Sequence, residues 1–240
     1  MIKTKDLDVK RLDVEFEEKS AEKVILWGWD TFKEKIALAN SFGAEDVVLT
    51  DMVLKINPKI RIFALDTGRL PQETYNIWQI LEEKYGINIE PYFPEAKRVE
   101  EMVKKFGSNL FYKSVDLRRL CCQVRKIGPL NRALLKLDAW ICGLRREQSI
   151  TRRDIKKIEI DLAHRRIIKI NPLADWSANE VWDYIKKNKL SYNKLHDRNY
   201  PSIGCVPCTR PIKPGEDTRS GRWWWEPPEQ KECGLHLQKE

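Results

Sequence analysis

Two pairs of cysteines are the residues whose types and spacing most directly indicate chemistry. Cys121 and Cys122 are adjacent in RRLCCQVRK, and Cys205 and Cys208 form a CxxC loop in GCVPCTRP. Adjacent cysteines point about 100° apart in a helix and to opposite faces in a strand, so neither arrangement suits an ordinary disulfide. The CxxC pair alone fits a redox dithiol, half of a metal site or an incidental pair. It lies late in the chain and outside any βαβ pattern, which makes redox exchange the weaker interpretation.

Together the two pairs supply four thiolates, a ligand set that suits Zn²⁺ or an iron–sulfur cluster. Adjacent ligands fit poorly around one small ion, whereas a [4Fe–4S] cluster spaces its irons widely enough for neighbouring cysteines to bind different irons. The pattern therefore favours a [4Fe–4S] cluster over Zn²⁺. Arg125 and Lys126 follow the first pair. They would compensate the negative charge of such a cluster, and the alternative is that they are solvated helix charges.

The two remaining cysteines have different surroundings. Cys142 lies in the apolar run AWICGL, which predicts a buried and inert core thiol. Cys233 lies in KECGLH, between Lys231 and His236, and these two groups would lower the pKa of its thiol. Spacing alone leaves Cys233 as either a surface thiol or a thiolate nucleophile.

Glycine- and arginine-bearing segments predict a site for an anion. SFGAED (41–46) joins a predicted strand to a helix, where backbone N–H groups suit a phosphate, and LDTGRL (65–70) follows the next strand. GLRREQSITRR (143–153) contains four arginines, and TRPIKPGEDTRSGRWWW (209–225) adds three. Arginines in loops at one edge of a sheet suit bidentate recognition of phosphate or sulfate. The alternative is a generic basic surface, including one for RNA.

Composition limits the class of protein. The chain has 240 residues and a formal net charge of +8, which allows one large domain and suggests an anionic partner or solubility alone. The N-terminus, MIKTKDLDVKRLDVEF, lacks the apolar stretch of a signal peptide, and no uncharged segment is long enough to span a bilayer. We therefore expect a cytoplasmic protein with no membrane partner. In reducing cytosol, clustered cysteines more often bind metal or catalyse than form disulfides.

Alternating helix and strand patterns predict the fold. Strands are expected over 35–41, 59–66, 87–93 and 139–144. Helices are expected over 20–35, 44–56 and 71–86, in a longer stretch around the adjacent cysteines, and after a capping box at 177–180. Residues 159–173 suggest a hairpin or an edge strand, and residues after 190 show little periodicity. This order predicts an α/β protein with a doubly wound, mostly parallel sheet and flanking helices.

Taken together, the motifs resemble one family. CCQVRKIGPL, GCVPCTRP, GRWWWE and KECGLH are similar to the assimilatory adenylylsulfate (APS) reductases that carry a [4Fe–4S] cluster, and they occur in family order. SFGAED resembles that family's modified pyrophosphate loop, and LDTGRL its nucleotide-contacting loop. The resemblance implies a fold like that of the adenine nucleotide alpha hydrolases, with a mobile C-terminal tail. The implied reaction converts APS and reduced thioredoxin to sulfite, AMP and oxidised thioredoxin.

The resemblance also implies roles for individual residues and one domain, with a nucleotide-binding core over about 35–190 and a cluster loop and catalytic tail over 191–240. Cys233 would be the nucleophile, and Lys126 would link cluster and substrate. The implied cluster ligands are Cys121, Cys122, Cys205 and Cys208. The implied substrate contacts are Leu65, Gly143, Arg152, Arg219, Arg222 and His236, and the anion segments add Ser41, Gly43, Thr67 and Arg145 as candidates. Asn40-Ser41-Phe42 departs from the serine pattern of many relatives, and Arg153 is the alternative to Arg152.

Three other functions compete with this interpretation. A reductase of 3′-phospho-APS (PAPS), or one that accepts both substrates, is the nearest, although PAPS reductases as a family lack the two cysteine pairs. A cluster-bearing tRNA-thiolating enzyme would also be basic, but it should carry a fuller SGGxDS-type loop and lack KECGLH. A zinc-stabilised nucleic-acid-binding module would leave Cys233 incidental. The motifs favour APS reduction with thioredoxin and no nucleic-acid partner, and they leave a homo-oligomer open.

Overall fold

A six-stranded sheet forms the centre of the structure, a computed structural model that describes residues 7–227 and 230–231. The strands are β1 Ile36–Asn40, β2 Arg61–Leu65, β3 Glu90–Tyr92, β4 Ala139–Ile141, β5 Ile158–Asp161 and β6 Ile167–Ile170. Their order is β3-β2-β1-β4-β6-β5, with parallel pairing from β3 to β6 and antiparallel pairing of β5 with β6. The predicted doubly wound, mostly parallel sheet is confirmed, and residues 159–173 form the edge hairpin.

Helices flank the sheet. They are α1 Val9–Phe16, α2 Ala21–Phe32, α3 Ala44–Ile56, α4 Gln72–Tyr85, α5 Ala96–Phe106, α6 Val115–Cys122, α7 Gly128–Leu134 and α8 Ala178–Lys187. Ser20 caps α2, and Ser177 and Glu180 form the predicted capping box of α8. Pro71 is the N-cap of α4, and Gly86 ends that helix with a φ of 62°.

The core lies on both faces of β1. Leu38 on β1 is opposite Ile62 of β2 and Ile141 of β4, and all three are almost completely buried. Burying one such side chain stabilises a fold by about 1.5–3 kcal/mol relative to exposure. A parallel strand that is covered on both faces has apolar residues at nearly every position. These strands were therefore recognisable in the sequence as continuous apolar runs.

The order of the strands reverses between β1 and β4. The strands that follow β1 in the chain, β2 and β3, lie on one side of it, whereas those that follow β4, β5 and β6, lie on the other side. The loops at the carboxyl ends of β1 and β4 therefore separate and open a crevice, the usual ligand position in open α/β sheets. Residues 191–227 extend over this edge, where Val206 N–H donates to the Arg69 carbonyl at 2.8 Å. Within the described ranges, no helix is long and apolar enough to cross a membrane.

Candidate active site

The loop after β1 is organised by a buried acid. Both the N–H and the hydroxyl of Ser41 donate to Asp46 Oδ2, at 2.7 and 2.6 Å. Phe42 adopts a φ of 63°, and its N–H donates to Asn40 Oδ1 at 2.7 Å. Gly43 is the N-cap of α3. Burial raises the pKa of Asp46 to about 6, against the hydrogen bonds from Ser41 that lower it.

A cavity of about 760 Å³ opens at this edge of the sheet. Its volume lies in the range of sites for small molecules and cofactors. Every predicted substrate contact within the described ranges lines it: Ser41, Gly43, Leu65, Thr67, Lys126, Gly143, Arg145, Arg152, Arg219 and Arg222. Arg153 is exposed and is not among the lining residues, so of the two adjacent arginines it is Arg152 that lies at the cavity wall. Contact with a substrate stays a prediction for each of them.

The arginines that follow β4 are fixed by acids and amides. Arg145 Nε donates to Glu45 Oε1 at 2.9 Å, and Arg145 Nη1 donates to Glu147 Oε2 at 3.0 Å. Gln148 Nε2 donates to the same Glu45 oxygen at 3.0 Å, and Arg152 Nη1 donates to Gln148 Oε1. This chain of contacts holds two guanidinium groups in position before any ligand binds, which lowers the entropy cost of binding.

A second set of arginines comes from the C-terminal segment. Arg222 is only 7% exposed, and its Nη1 donates to the Ile203 carbonyl at 3.2 Å. The guanidinium packs against Gly204 so closely that a Cβ there would lie 2.3 Å from Arg222 Nη2. Arg219 Nη2 donates to the Lys231 carbonyl at 3.4 Å. The segment 203–222 thus forms one wall of the cavity with its own cations.

The four predicted cluster ligands line a second, smaller cavity. Its lining includes Cys121, Cys122, Cys205, Cys208, Arg69, Arg118, Arg125 and Lys126. The first pair ends α6, and the second pair is presented by the CxxC loop, where Thr67 Oγ1 lies 3.2 Å from Cys205 Sγ. Lys126 also lines the larger cavity, so the two cavities share one cationic side chain.

Cations beside these thiols are buried to different degrees. Arg125 is 8% exposed, and its Nη1 donates to the Thr67 carbonyl at 2.7 Å. The interpretation of Arg125 as a solvated helix charge is therefore wrong, while Lys126 is half-buried. Both residues lie in a π-helical turn, Gln123–Ile127, between α6 and α7. Such turns widen a helix locally and are frequent at functional sites.

Burial raises the pKa of two thiols in the cysteine pairs, Cys121 and Cys208. Arg125 acts in the opposite direction on the pKa of Cys121, and the pKa of Cys208 is raised to about 12. Cys142 is buried, as predicted, and also lines the larger cavity. Within residues 7–227 and 230–231, no three His, Cys, Asp or Glu side chains are placed to hold one metal ion. In a [4Fe–4S] cluster each iron takes a single thiolate, so its four sulfur ligands need not converge on one ion.

Known proteins of similar sequence identify the family of this chain. The model of the phosphoadenosine phosphosulfate reductase domain family matches residues 35–211. A protein named adenosine 5′-phosphosulfate reductase from Allochromatium vinosum is 52% identical over 203 residues, which cover 85% of this chain and 79% of that protein. The chain belongs to the adenosine 5′-phosphosulfate reductases of this family. A relative with the same name from Pseudomonas aeruginosa is 43% identical over 234 residues, 95% of this chain and 86% of that protein.

Solved structures share the fold of this reductase family member. The phosphoadenylyl-sulfate (PAPS) reductase of Candida auris, solved as a phosphate complex, superposes with a TM-score of 0.72 at 30% identity, covering 84% of this chain and 96% of that one. The FMN adenylyltransferase of Candida glabrata gives a TM-score of 0.57 at 14% identity, covering 92% and 72%. The second likeness concerns the fold alone.

Some residues of the reductase site had no motif to reveal them. His196 lines the larger cavity, and its burial lowers the pKa of its imidazole. Its ring packs edge-on against Trp182, with centroids 5.2 Å apart. The isolated His and Trp gave no spacing signal, whereas Asp46 was visible inside SFGAED as an acid in the first turn of a helix. Two predicted residues, Cys233 and His236, lie outside the described residues.

Proposed function

We propose that this protein reduces adenosine 5′-phosphosulfate to sulfite and AMP in the cytoplasm, through an S-sulfonate on Cys233 that reduced thioredoxin discharges. In this proposal the chain acts as one domain, with a nucleotide-binding core over about 35–190 and a cluster loop and catalytic tail over 191–240. The relatives named adenosine 5′-phosphosulfate reductase support the substrate. The step belongs to the assimilation of sulfate.

The observation that carries the proposal is that two neighbouring cavities share one lysine on their walls. The arginine-lined cavity and the four-cysteine cavity have Lys126 in common. APS carries a sulfate joined to a phosphate, so its recognition requires cations near both groups. Arg145, Arg152, Arg219 and Arg222, all on the wall of the larger cavity, meet that requirement.

The donor set fits a [4Fe–4S] cluster. Four cysteines line the smaller cavity together with cationic side chains. The Arg125 Nε–H is buried and has no hydrogen-bond partner among the described residues, which suits a neighbouring anionic group. When bound, the cluster would supply a negative charge beside Lys126 and Arg125, and Lys126 also lines the substrate cavity. We assign Cys121, Cys122, Cys205 and Cys208 as its ligands.

The chemical step then needs a nucleophile and a stabilised leaving group. The Cys233 thiolate attacks the sulfate sulfur, a bond forms between the two sulfur atoms, and the bond from that sulfur to the anhydride oxygen breaks. AMP leaves with the electron pair. Preorganised cations stabilise the charge that develops on the leaving phosphate, which is commonly the largest contribution to catalysis. Lys126 and Arg152 are the residues that we assign to this role.

A dithiol completes the reaction. One thiolate of thioredoxin attacks Cys233 Sγ, and sulfite leaves with the electron pair of the sulfur–sulfur bond. The second thiol of thioredoxin resolves the mixed disulfide and returns Cys233 as a thiolate. The sulfate sulfur is thereby reduced and the dithiol is oxidised, so no further reductant is required.

Anaerobic turnover distinguishes the proposal from the nearest alternative. Sulfite release is measured with reduced thioredoxin and either APS or its 3′-phosphorylated form. We expect a kcat/KM for APS at least about a hundredfold higher, because a mismatched charged group in a built site costs roughly 3 kcal/mol. Equal rates would identify a dual reductase. Turnover of the 3′-phosphorylated form alone would contradict the proposal.

A further inference from the structure

Three large apolar side chains are exposed beside the four-cysteine cavity. Tyr112, Val206 and Trp224 are 44%, 57% and 39% exposed. The rings of Tyr112 and Trp224 lie 6.1 Å apart between centroids, and the Tyr112 hydroxyl donates to the carbonyl of Pro207, the residue after Val206, at 2.8 Å. We call these three residues the aromatic patch. Exposed apolar groups brought together from separate chain segments mark an interaction surface more often than scattered ones do.

The aromatic patch is rigidly backed. Trp225 packs edge-on against Tyr112 and Trp224, with centroid distances of 4.5 and 4.7 Å. The next residue, Glu226, forms a fully buried ion pair with Arg118 at 2.7 Å. The side chains of the patch are therefore already held in place before a partner binds. Binding then costs little side-chain entropy, which favours docking.

The position of the patch along the chain indicates the occupant. Arg118 Nη2 also donates to the Gln230 carbonyl at 2.8 Å, so one guanidinium fixes both Glu226 and Gln230. Cys233 follows Gln230 by three positions. Three extended residues span at most about 11 Å. A protein that brings a thiol to the Cys233 sulfur must therefore cover the surface near Gln230, and Trp224 lies on the same anchored segment.

We propose that the aromatic patch is the docking surface for the protein dithiol that discharges Cys233. This inference rests on the proposed function, because the S-sulfonate is the species that requires a thiol partner. The partner is a protein whose reactive dithiol is set in an apolar surface that packs against Tyr112, Val206 and Trp224. Its first thiolate bonds to Cys233 Sγ as sulfite departs, and its second thiol then releases the enzyme.

The experiment compares a protein dithiol with a small one. The full-length, cluster-loaded enzyme is charged with sulfur-labelled APS in the absence of reductant. The rate of labelled sulfite release is then measured with reduced thioredoxin and, separately, with dithiothreitol. The variants are Trp224→Ala and Val206→Ser, tested individually. The matched control is Val14→Ser, which changes an apolar residue that is 78% exposed on α1, a helix that packs against β5 at one edge of the sheet.

We expect both patch variants to slow the second-order release by thioredoxin by about tenfold, the scale of truncating a residue that carries binding energy near the centre of an interface. Their rates with dithiothreitol should stay within about twofold of wild type, and Val14→Ser should change neither rate. Unchanged thioredoxin rates in both patch variants would contradict the docking surface. Equal slowing with both reductants would contradict it as well, because the patch would then act on the site itself.

Two further outcomes distinguish a failure of the proposed function from a different occupant of the aromatic patch. If the wild-type enzyme forms no labelled adduct, the proposed function fails, and this inference fails with it. If the wild type is a dimer that Trp224→Ala converts to a monomer with an unchanged thioredoxin rate, the patch is covered by a second copy of the chain. Sedimentation of wild type and variant decides that case.

Discussion

The Asp46 carboxylate joins the loop after β1 to the loop after β4. It accepts hydrogen bonds from the Ser41 N–H and hydroxyl, and a Cβ on Gly143 would lie 2.3 Å from its Oδ1. Any residue larger than glycine at position 143 would push this carboxylate out of place. Asp46 therefore positions the two loops that meet at the switch point of the sheet.

This relationship predicts a pH dependence of stability. Burial raises the pKa of Asp46 from 3.8 to about 6, so the folded state binds the proton more tightly than the unfolded state. The stabilisation from Asp46 is fully present below about pH 4 and is lost as pH rises through 6. The difference corresponds to about 3 kcal/mol. Asp46→Asn should thus gain stability relative to wild type between pH 4 and 7, measured by urea unfolding at intervals across that range. Parallel wild-type and variant curves would refute the assignment.

Substitution of the two adjacent arginines of the 143–153 segment should affect substrate binding to different degrees. Arg152 is 8% exposed at the cavity wall, and Arg153 is exposed and absent from the wall. Arg152→Ala should raise KM for APS by roughly tenfold or more, since hydrogen bonds to charged groups contribute about 1.5–3 kcal/mol. Arg153→Ala, the matched control, should stay within about twofold. Equal kinetics in the two variants would remove Arg152 from the proposed substrate site.

The buried Arg118–Glu226 pair predicts a large loss of stability. Both side chains are 1% exposed, and Arg118 also holds the Gln230 carbonyl. Glu226→Gln leaves a buried guanidinium without its charge partner, which typically costs about 3–5 kcal/mol. The control is Asp30→Asn, which breaks the exposed Lys33–Asp30 pair and should cost less than about 1 kcal/mol. Anaerobic urea unfolding compares the two, and similar losses would mean that the buried pair is not the anchor described above.

The fold was largely predictable from the sequence because its strands are short apolar runs and its helices carry recognisable caps. Leu38 and its neighbours on β1 form such a run, and Ser177 with Glu180 form such a cap. α1 was not predicted, because half of its eight residues are charged and its burial depends on packing against β5. The sequence predicted one long helical stretch before β4, which the structure divides into α5, α6 and α7.

The site was predictable in its residue types but not in their burial. The sequence places Arg125 beside Lys126 and Arg152 beside Arg153, and adjacent cations of equal charge look alike. In the structure the two members of each pair differ in burial, because the π-helical turn buries Arg125 and the cavity wall buries Arg152. Likewise the sequence shows an acid in SFGAED but not that its carboxylate turns back onto Ser41. These orientations arise from tertiary contacts between distant segments.

The cysteine assignments predict different effects of single substitutions. Cys121→Ser and Cys208→Ser should each lower the iron content, about four per chain for a [4Fe–4S] cluster, and bleach the brown colour. The matched control is Cys142→Ser, a buried thiol on the wall of the larger cavity, which should keep its iron. Metal analysis and the visible absorption spectrum of anaerobically purified protein provide the test. Colourless wild-type protein with stoichiometric Zn²⁺ would contradict the cluster.

The most direct test of the account is the trapping of the intermediate on Cys233. Wild-type enzyme mixed anaerobically with sulfur-labelled APS, without reductant, should release AMP in one equivalent and retain the label, and peptide mapping should locate it on Cys233. The Cys233→Ser variant should keep its cluster spectrum and bind APS, yet acquire no label. Retention of the label on another residue, or a normal turnover rate in Cys233→Ser, would contradict the mechanism.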